Sequence, residues 1–505
     1  MKGLIMDFPL TLPLFFERAR RLFPRKEIVT RTLDGRHRYT YADFADRALR
    51  LASALQSLGI GKGDRVATFA WNSHRHLEAY FAVPCMGAVL HTLNIRLAPD
   101  HLTYIINHAE DRILLVDASL LGLIEPIRKD LKTVRHVVVM PDGPSAPSFS
   151  VRDYEALLRD ARPLEAWPRL DEPDAAGMCY TSGTTGHPKG VVYSHRAIVL
   201  HTYVLALPDS FGLTERDVCL FIVPMFHVNA WGFPYAATLV GATQVYAGPT
   251  PQPRDLLDLI ASERVTITGA VPTVWINMLP VLEQERFDLS SLRTAVVGGS
   301  AMPRSLIELY EKKHGVRLTH AWGMTEMTPL GTVSRLKSWM EAWPEADRYA
   351  VRAKQGLPVP GVEIRGVDEE GREIPWDGKT MGELQVRGSC VTSGYYNYPE
   401  GAEAITPDGW FRTGDVVTID PEGYIQIMDR TKDLVKSGGE WISTVDLESL
   451  LMAHPKVLEA AVIAVPHPRW QERPLACVVL RPGQTVTRDE LLEFLRPRVA
   501  RWWLP

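Results

Sequence analysis

Apolar residues recur with two different spacings along this chain, and the change falls near residue 355. Up to that point short apolar runs alternate with segments in which hydrophobic residues return every third or fourth position. Residues 13–23 read as a first amphipathic helix. Thr40 then stands as an N-cap with Asp43 three residues later, a variant capping box, and the helix after it places Phe44, Leu51, Ala52 and Leu55 on one face before Gly59 ends it. Strands are predicted at 65–69, 87–91 and 113–116, with helices at 74–86 and 99–108 between them. The pattern resumes with strands at 176–180, 191–193, 217–223, 243–246, 265–270 and 294–298, and helices starting at Ser194 and spanning 253–263. Strands separated by helices predict an α/β fold with parallel sheets and crossover helices.

Beyond residue 355 the runs shorten and alternate, with turns at Asp368-Glu-Glu-Gly371, Trp376-Asp-Gly378 and Pro421-Glu-Gly423, which predicts an antiparallel sheet or barrel. Asp429-Arg-Thr-Lys-Asp433 has no apolar anchor and reads as a junction. After it, helices at 445–453 and 488–499 and strands at 459–465 and 475–480 predict a small α+β domain. The division expected is therefore 1–428 and 429–505.

Composition narrows the function classes. The 46% hydrophobic and 23% charged fractions are those of an ordinary soluble protein, and 505 residues exceed one core. The net charge of −4 comes from basic and acidic residues mixed along the chain, which argues against a nucleic-acid partner. Five scattered cysteines without a Cys-x-x-Cys pair argue against a zinc site or disulfide framework and predict a cytoplasmic protein. No apolar run approaches the ~18 residues of a membrane span.

The densest candidate chemistry is Tyr180-Thr-Ser-Gly-Thr-Thr-Gly-His-Pro-Lys-Gly190, between two predicted strands. Its glycines free backbone N–H groups to approach an anion, its hydroxyls add donors and Lys189 adds charge, so it reads as a phosphate cradle. It is not a Walker A loop; Gly378-Lys-Thr380 copies that motif's tail, but Glu373 stands where the first glycine belongs. Ala321-Trp-Gly-Met-Thr-Glu326 offers an aromatic, a hydroxyl and a carboxylate suited to Mg²⁺ with phosphate oxygens. Gly298-Gly-Ser-Ala301 follows an apolar strand, and Trp410-Phe-Arg-Thr-Gly-Asp415 places a carboxylate where it could take ribose hydroxyls. Each of the last three alone is equally consistent with a structural turn, whereas a plain turn is a poor account of all eleven residues of the first.

Together, in this order, these segments resemble the adenylate-forming superfamily of acyl-CoA synthetases, adenylation domains and luciferases. The likeness extends to Pro224-Met-Phe-His-Val-Asn-Ala-Trp231, Asp429–Asp433 and Lys436-Ser-Gly-Gly-Glu-Trp-Ile442, runs over nearly the whole chain, and is nearest to bacterial medium- and long-chain fatty-acyl-CoA ligases. The resemblance implies a large adenylating domain of α/β sheets plus a barrel-like part, and a small swinging α+β domain. It implies that a carboxylic acid attacks the α-phosphate of ATP, giving acyl-AMP and pyrophosphate, and that coenzyme A then takes the acyl group.

By the same resemblance Thr181 and Glu326 would hold Mg²⁺, and Thr181, Ser182, Gly183, Thr184, Thr185, Gly186 and Lys189 would grip the phosphates. Thr325 would meet the α-phosphate; Gly299, Ser300, Ala301, Trp322 and Gly323 would border adenine; Asp415 and Arg430 would hold the ribose. Asp429 would be the hinge, and Lys436, Gly438, Gly439 and Trp441 would lie on the coenzyme A side, with Lys436 and His227 also carried over as catalytic. His227, Val228 and Trp231 would line the acyl pocket; the alternative makes His227 and Trp231 core residues of a helix. Amino-acid adenylation domains carry an aspartate in this stretch, and its absence from His227-Val-Asn-Ala-Trp231 favours an uncharged, apolar acid, since an unpaired buried ammonium is costly.

The likeness breaks at Arg501-Trp-Trp-Leu-Pro505, which resembles the segment before the family's C-terminal catalytic lysine. That lysine is not in this sequence; truncation is the favoured reading, and slow adenylation with retained nucleotide binding is the expectation. Other readings are an amide ligase that passes the adenylate to an amine, and a nucleotide sensor. Relatives suggest a homodimer, and peripheral membrane contact fits an enzyme of fatty acids.

Overall fold

Seven strands form the first sheet, in the order Arg152–Asp153, His136–Met140, Asp111–Asp117, Arg65–Phe69, Val89–Thr92, Ala175–Tyr180 and Gly190–Ser194. All neighbours are parallel except the last pair, an antiparallel hairpin whose loop is the glycine- and threonine-rich stretch. Parallel strands covered on both faces should be continuous apolar runs, and residues 113–117 are buried throughout. The covering helix His74–Cys85 is buried at every position but Arg75, and helix Tyr41–Ser57 begins with the Thr40–Asp43 capping box.

The computed structural model describes residues 1, 3–143, 147, 149–181, 187–430, 434–437 and 440–505. They divide into two units, each assembled from several stretches of chain. Unit 1 comprises Met1–Thr294, Met324–Leu330 and Ser389–Glu403, and holds the seven-stranded sheet. It also holds five strands in the order Ile267–Ala270, Val218–Phe221, Thr243–Tyr246, Glu27–Thr32 and Gly35–Thr40, parallel up to the terminal hairpin.

Unit 2 comprises Ala295–Gly323, Gly331–Gly388 and Ala404–Pro505. Thr294–Val297 runs parallel to Leu318–Gly323. The predicted change of character after residue 355 is an antiparallel sheet in the order Val362–Val367, Gly382–Gly388, Phe411–Ile419 and Ile425–Arg430. Gly423, at φ +87, turns the last hairpin in a region that side-chain-bearing residues avoid. The C-terminal sheet, ordered Glu440–Ile442, Val435–Ser437, Gln471–Leu480 and Val457–His467, packs Val435, Ile442 and Val457 around Leu447 and Leu451 of helix Thr444–Met452.

Several boundaries shift by a few residues from expectation, and two of the shifts bear on the C-terminal part. Helix Arg488–Leu495 stops short of 499 because Pro497 has no N–H to continue the ladder, although Arg496 before it keeps helical backbone. The charged junction starts inside a strand, since Asp429 and Arg430 still pair with Val416 and Asp415; residues 431–433 lie outside the described residues. All five cysteines are free thiols, and no described helix is long and apolar enough to cross a membrane.

Candidate active site

The glycine- and threonine-rich loop leaves strand Ala175–Tyr180 and returns into Gly190–Ser194, so the hairpin sets its mouth. Thr181 and Lys189 close that mouth twice: the Thr181 N–H donates to the Lys189 carbonyl (3.0 Å), and the Lys189 N–H donates to Thr181 Oγ1 (3.1 Å). Ser182, Gly183, Thr184, Thr185 and Gly186 lie outside the described residues. At the loop's start the Tyr180 hydroxyl meets His108 Nδ1 at 2.6 Å, and burial raises its pKa.

Glu326 and Thr325 sit on a short 3-10 turn that belongs to the same unit as the loop. Tyr193, on the returning strand, donates its hydroxyl to the Thr325 carbonyl (2.8 Å), which ties this turn to the hairpin. A segment unremarked in the sequence completes the arrangement. From Ser389–Glu403, the Thr392 N–H donates to the Glu326 carbonyl (2.7 Å) and the Tyr395 hydroxyl donates to Glu326 Oε1 (2.8 Å). The Lys189 ammonium lies 4.9 Å from the Tyr395 ring centroid and 5.1 Å from that of Tyr398, within cation–π range. One tyrosine therefore touches both the cation and the carboxylate assigned to the phosphates and metal. Burial first, then Glu326, raises the Tyr395 pKa, so it stays a neutral donor.

The acyl-pocket candidates occupy a backbone neither expectation foresaw. Val228, Asn229, Ala230 and Trp231 have φ of +46°, +54°, +49° and +58°, and Gly232 follows at +76°. This is a left-handed turn, costing roughly 1–2 kcal/mol for each side-chain-bearing residue, not a right-handed core helix. Neighbours must over-determine it. Asn72 does so upstream, donating to the carbonyls of Phe221 (3.0 Å) and Val223 (2.8 Å) and accepting from the Met225 N–H (2.7 Å). His201 does so downstream, where a Cβ added to Gly232 would fall 2.7 Å from its Cε1. His201 also accepts from the Leu330 N–H (3.2 Å), linking this turn to the stretch that carries Glu326; burial lowers its pKa to about 3, so it is neutral. His227 is exposed, Val228 buried and Trp231 partly buried.

The remaining candidates meet in unit 2 around a cavity of about 590 Å³ lined by Gly299, Ser300, Ala301, Trp322, Gly323, Asp415, Asp429 and Arg430. The Trp322 indole N–H donates to Asp415 Oδ2 (2.9 Å), and Arg430 Nε pairs with Asp415 Oδ1 (3.1 Å). His320 contacts two carbonyls, Ala353 through Nδ1 at 3.0 Å and Ser300 through Nε2 at 3.4 Å. Burial lowers its pKa, and a neutral ring donates only once, which favours the shorter contact.

Asp429 Oδ2 accepts from the N–H (3.0 Å) and Oγ1 (2.6 Å) of Thr444, so the candidate hinge is fastened to the start of helix Thr444–Met452. Lys436 and Trp441 are backbone partners in the hairpin of Val435–Ser437 and Glu440–Ile442, while Gly438 and Gly439 lie outside the described residues.

Family comparison settles the class of this arrangement. The model of the AMP-binding enzyme matches residues 16–396, and that of the AMP-binding enzyme C-terminal domain matches 446–505. The chain belongs to the AMP-binding enzyme family. This AMP-binding enzyme is 54% identical over 504 residues to a long-chain-fatty-acid–CoA ligase of Thermus thermophilus, covering 99% of this chain and 92% of that protein. It is 44% identical over 511 residues to a 3-methylmercaptopropionyl-CoA ligase of Ruegeria lacuscaerulensis, covering 100% and 94%. Among solved structures it resembles the anthranilate CoA ligase AuaEII in complex with anthranoyl-AMP, with a TM-score of 0.87 and 26% identity over 99% of this chain and 93% of that one.

For this AMP-binding enzyme the two residues expected to hold Mg²⁺ carry the type of donor that ion takes. Glu326 supplies a carboxylate and Thr181 a hydroxyl, both hard oxygen ligands. Among the described residues no group of three or more His, Cys, Asp or Glu is placed to hold a metal ion. A site with one carboxylate suits Mg²⁺ only where phosphate oxygens and water supply the rest.

Proposed function

We propose that the protein activates an apolar carboxylic acid, a medium- or long-chain fatty acid first among them, with ATP and passes the acyl group to coenzyme A. The reaction class is that of an AMP-forming acid–thiol ligase. The likeness to a fatty-acid–CoA ligase at 54% identity over essentially the whole chain carries this reading. The absence of an acid from His227-Val-Asn-Ala-Trp231 supports an uncharged substrate, and the methylmercaptopropionyl relative leaves acid length open to short members.

In this reading Trp322 stacks on the adenine, Gly299, Ser300, Ala301 and Gly323 border it, and Asp415, held by Trp322 and Arg430, takes the ribose hydroxyls. Thr181, Lys189 and the loop between them take the β- and γ-phosphates, and Thr325 the α-phosphate. Glu326 and Thr181 hold Mg²⁺, which when bound neutralises phosphate charge. Lys189 leaves the faces of Tyr395 and Tyr398 for the stronger attraction of a phosphate, and Tyr395 orients the Glu326 carboxylate. Because the carboxylate and phosphate are both anionic, positioning and charge neutralisation are the main contributions the protein can make. The C-terminal part, with Lys436, Gly438, Gly439 and Trp441, turns about Asp429 to bring the coenzyme A side into play.

We place the enzyme in the cytoplasm on its five free thiols, and propose a homodimer on family resemblance alone, for which sedimentation velocity is the test. Incubation with ATP, Mg²⁺, a panel of acids from acetate to stearate, and either coenzyme A or amines tests the reaction. Acyl-CoA, AMP and pyrophosphate are expected with an apolar acid; amide without thioester would overturn the choice of acceptor.

A further inference from the structure

A second polar cavity, of about 480 Å³, lies in unit 1 against strands Arg152–Asp153 and His136–Met140. Those strands form one end of the seven-stranded sheet, and the strands that carry the phosphate loop form the other. Arg128, Arg135, Arg152 and His136 supply its polar walls, with Leu131 and Val137 among the apolar lining. Among the described residues no carboxylate lines it.

Arg128, Arg135 and Arg152 are exposed side chains that share the wall of one cavity, which concentrates positive charge there in a chain of net charge −4. Among the described residues none of the three forms an ion pair; Arg128 instead lies over the Phe149 ring at 4.5 Å. The local potential also registers on His136, whose pKa is lowered by burial first and then by Arg152 and Arg135. Guanidinium groups present paired donors that match phosphate and carboxylate oxygens, and they are weakly hydrated enough to bind such groups in a cleft. An apolar lining beside them suits a phosphate carried on an organic body better than a bare ion.

We propose that the cleft of Arg128, Arg135, His136 and Arg152 binds a phosphate ester, as a separate site from the nucleotide-binding residues. A phospholipid headgroup and a soluble phosphate ester share this chemistry, and two probes separate them. The first is flotation with phosphatidylcholine vesicles, with and without one third phosphatidylglycerol. The second is titration with glycerol 3-phosphate, read at the His136 ring by NMR. An anion between Arg135 and Arg152 cancels the charge that depresses His136, so its pKa rises on binding.

Flotation that requires phosphatidylglycerol and falls at least tenfold in Arg128→Gln/Arg135→Gln/Arg152→Gln identifies the headgroup as the source. A glycerol 3-phosphate shift of His136 that this variant loses, without flotation, identifies a soluble ester. Should the triple variant fold poorly, Arg152→Gln alone is read by the same His136 shift, and an Arg-to-Lys triple variant, which keeps the charge, is expected to retain binding. No response of wild type to either probe, or an equal response in wild type and the Gln variants, overturns the proposal.

Discussion

Asp446 gives the chain a pH dependence whose sign and size follow from its surroundings. It lies in the first turn of helix Thr444–Met452, where its N–H donates to the Ser443 cap (3.1 Å) and its carboxylate receives one long bond from Gln426 (3.4 Å). Burial, with a further push from the Asp429 charge, raises its pKa from 3.8 to about 6. Between those values the folded state keeps a proton that the unfolded chain has lost, so stability falls as pH rises through this window. The full cost is about 3 kcal/mol, of which about 2 kcal/mol develops between pH 4.5 and 7.5. Asp446→Asn keeps the shape and cannot ionise, so it should remove that slope. Hydrogen exchange of the helix amides, corrected for intrinsic rates and converted to opening free energies, is the assay. The Asn variant is expected to gain about 2 kcal/mol over wild type on going from pH 4.5 to 7.5. Equal slopes in the two proteins would refute the assignment of the strain to this carboxyl group.

Other expectations are independent of it. Trp322→Ala removes the stacking surface and the support of Asp415, and AMP affinity by calorimetry should fall roughly 10- to 100-fold. Glu326→Gln should abolish the gain in ATP affinity that Mg²⁺ confers, with the same method comparing metal and chelator. Tyr395→Phe deletes a hydrogen bond to a buried carboxylate while keeping the ring under Lys189, a loss of roughly 2 kcal/mol in urea unfolding; an unchanged midpoint would show the contact contributes nothing. Gly232→Ala drives a Cβ against His201 at φ +76 and should cost about 2 kcal/mol or more, seen as a lower Tm.

Local signals were readable wherever the chemistry was local. The Thr40–Asp43 capping box, strand Arg65–Phe69, helix Pro99–His108 and strand Thr243–Tyr246 lie where periodicity and caps put them. The hairpin around the glycine- and threonine-rich loop was also legible, because an apolar run on each side of a glycine-rich stretch has few other solutions. The left-handed turn at Val228–Gly232 was not. Only Asn229 and Gly232 tolerate that backbone readily, and what holds it is Asn72 and His201, remote in sequence. Tyr395 and Tyr398 were passed over for the same reason: a tyrosine cluster before Pro399 looks like packing until Lys189 and Glu326 are seen against it. The cluster Tyr395-Tyr-Asn-Tyr398 was the available signal.

Unit 1 is threaded from three separate stretches, the last ending at Glu403, and this orders events on the ribosome. Lys189 emerges early, Glu326 much later, and the tyrosines that touch both later still. A nascent chain that ends before residue 395 therefore carries Lys189 and Glu326 without the tyrosine that touches both, and the packing of unit 1 around them waits for the third stretch.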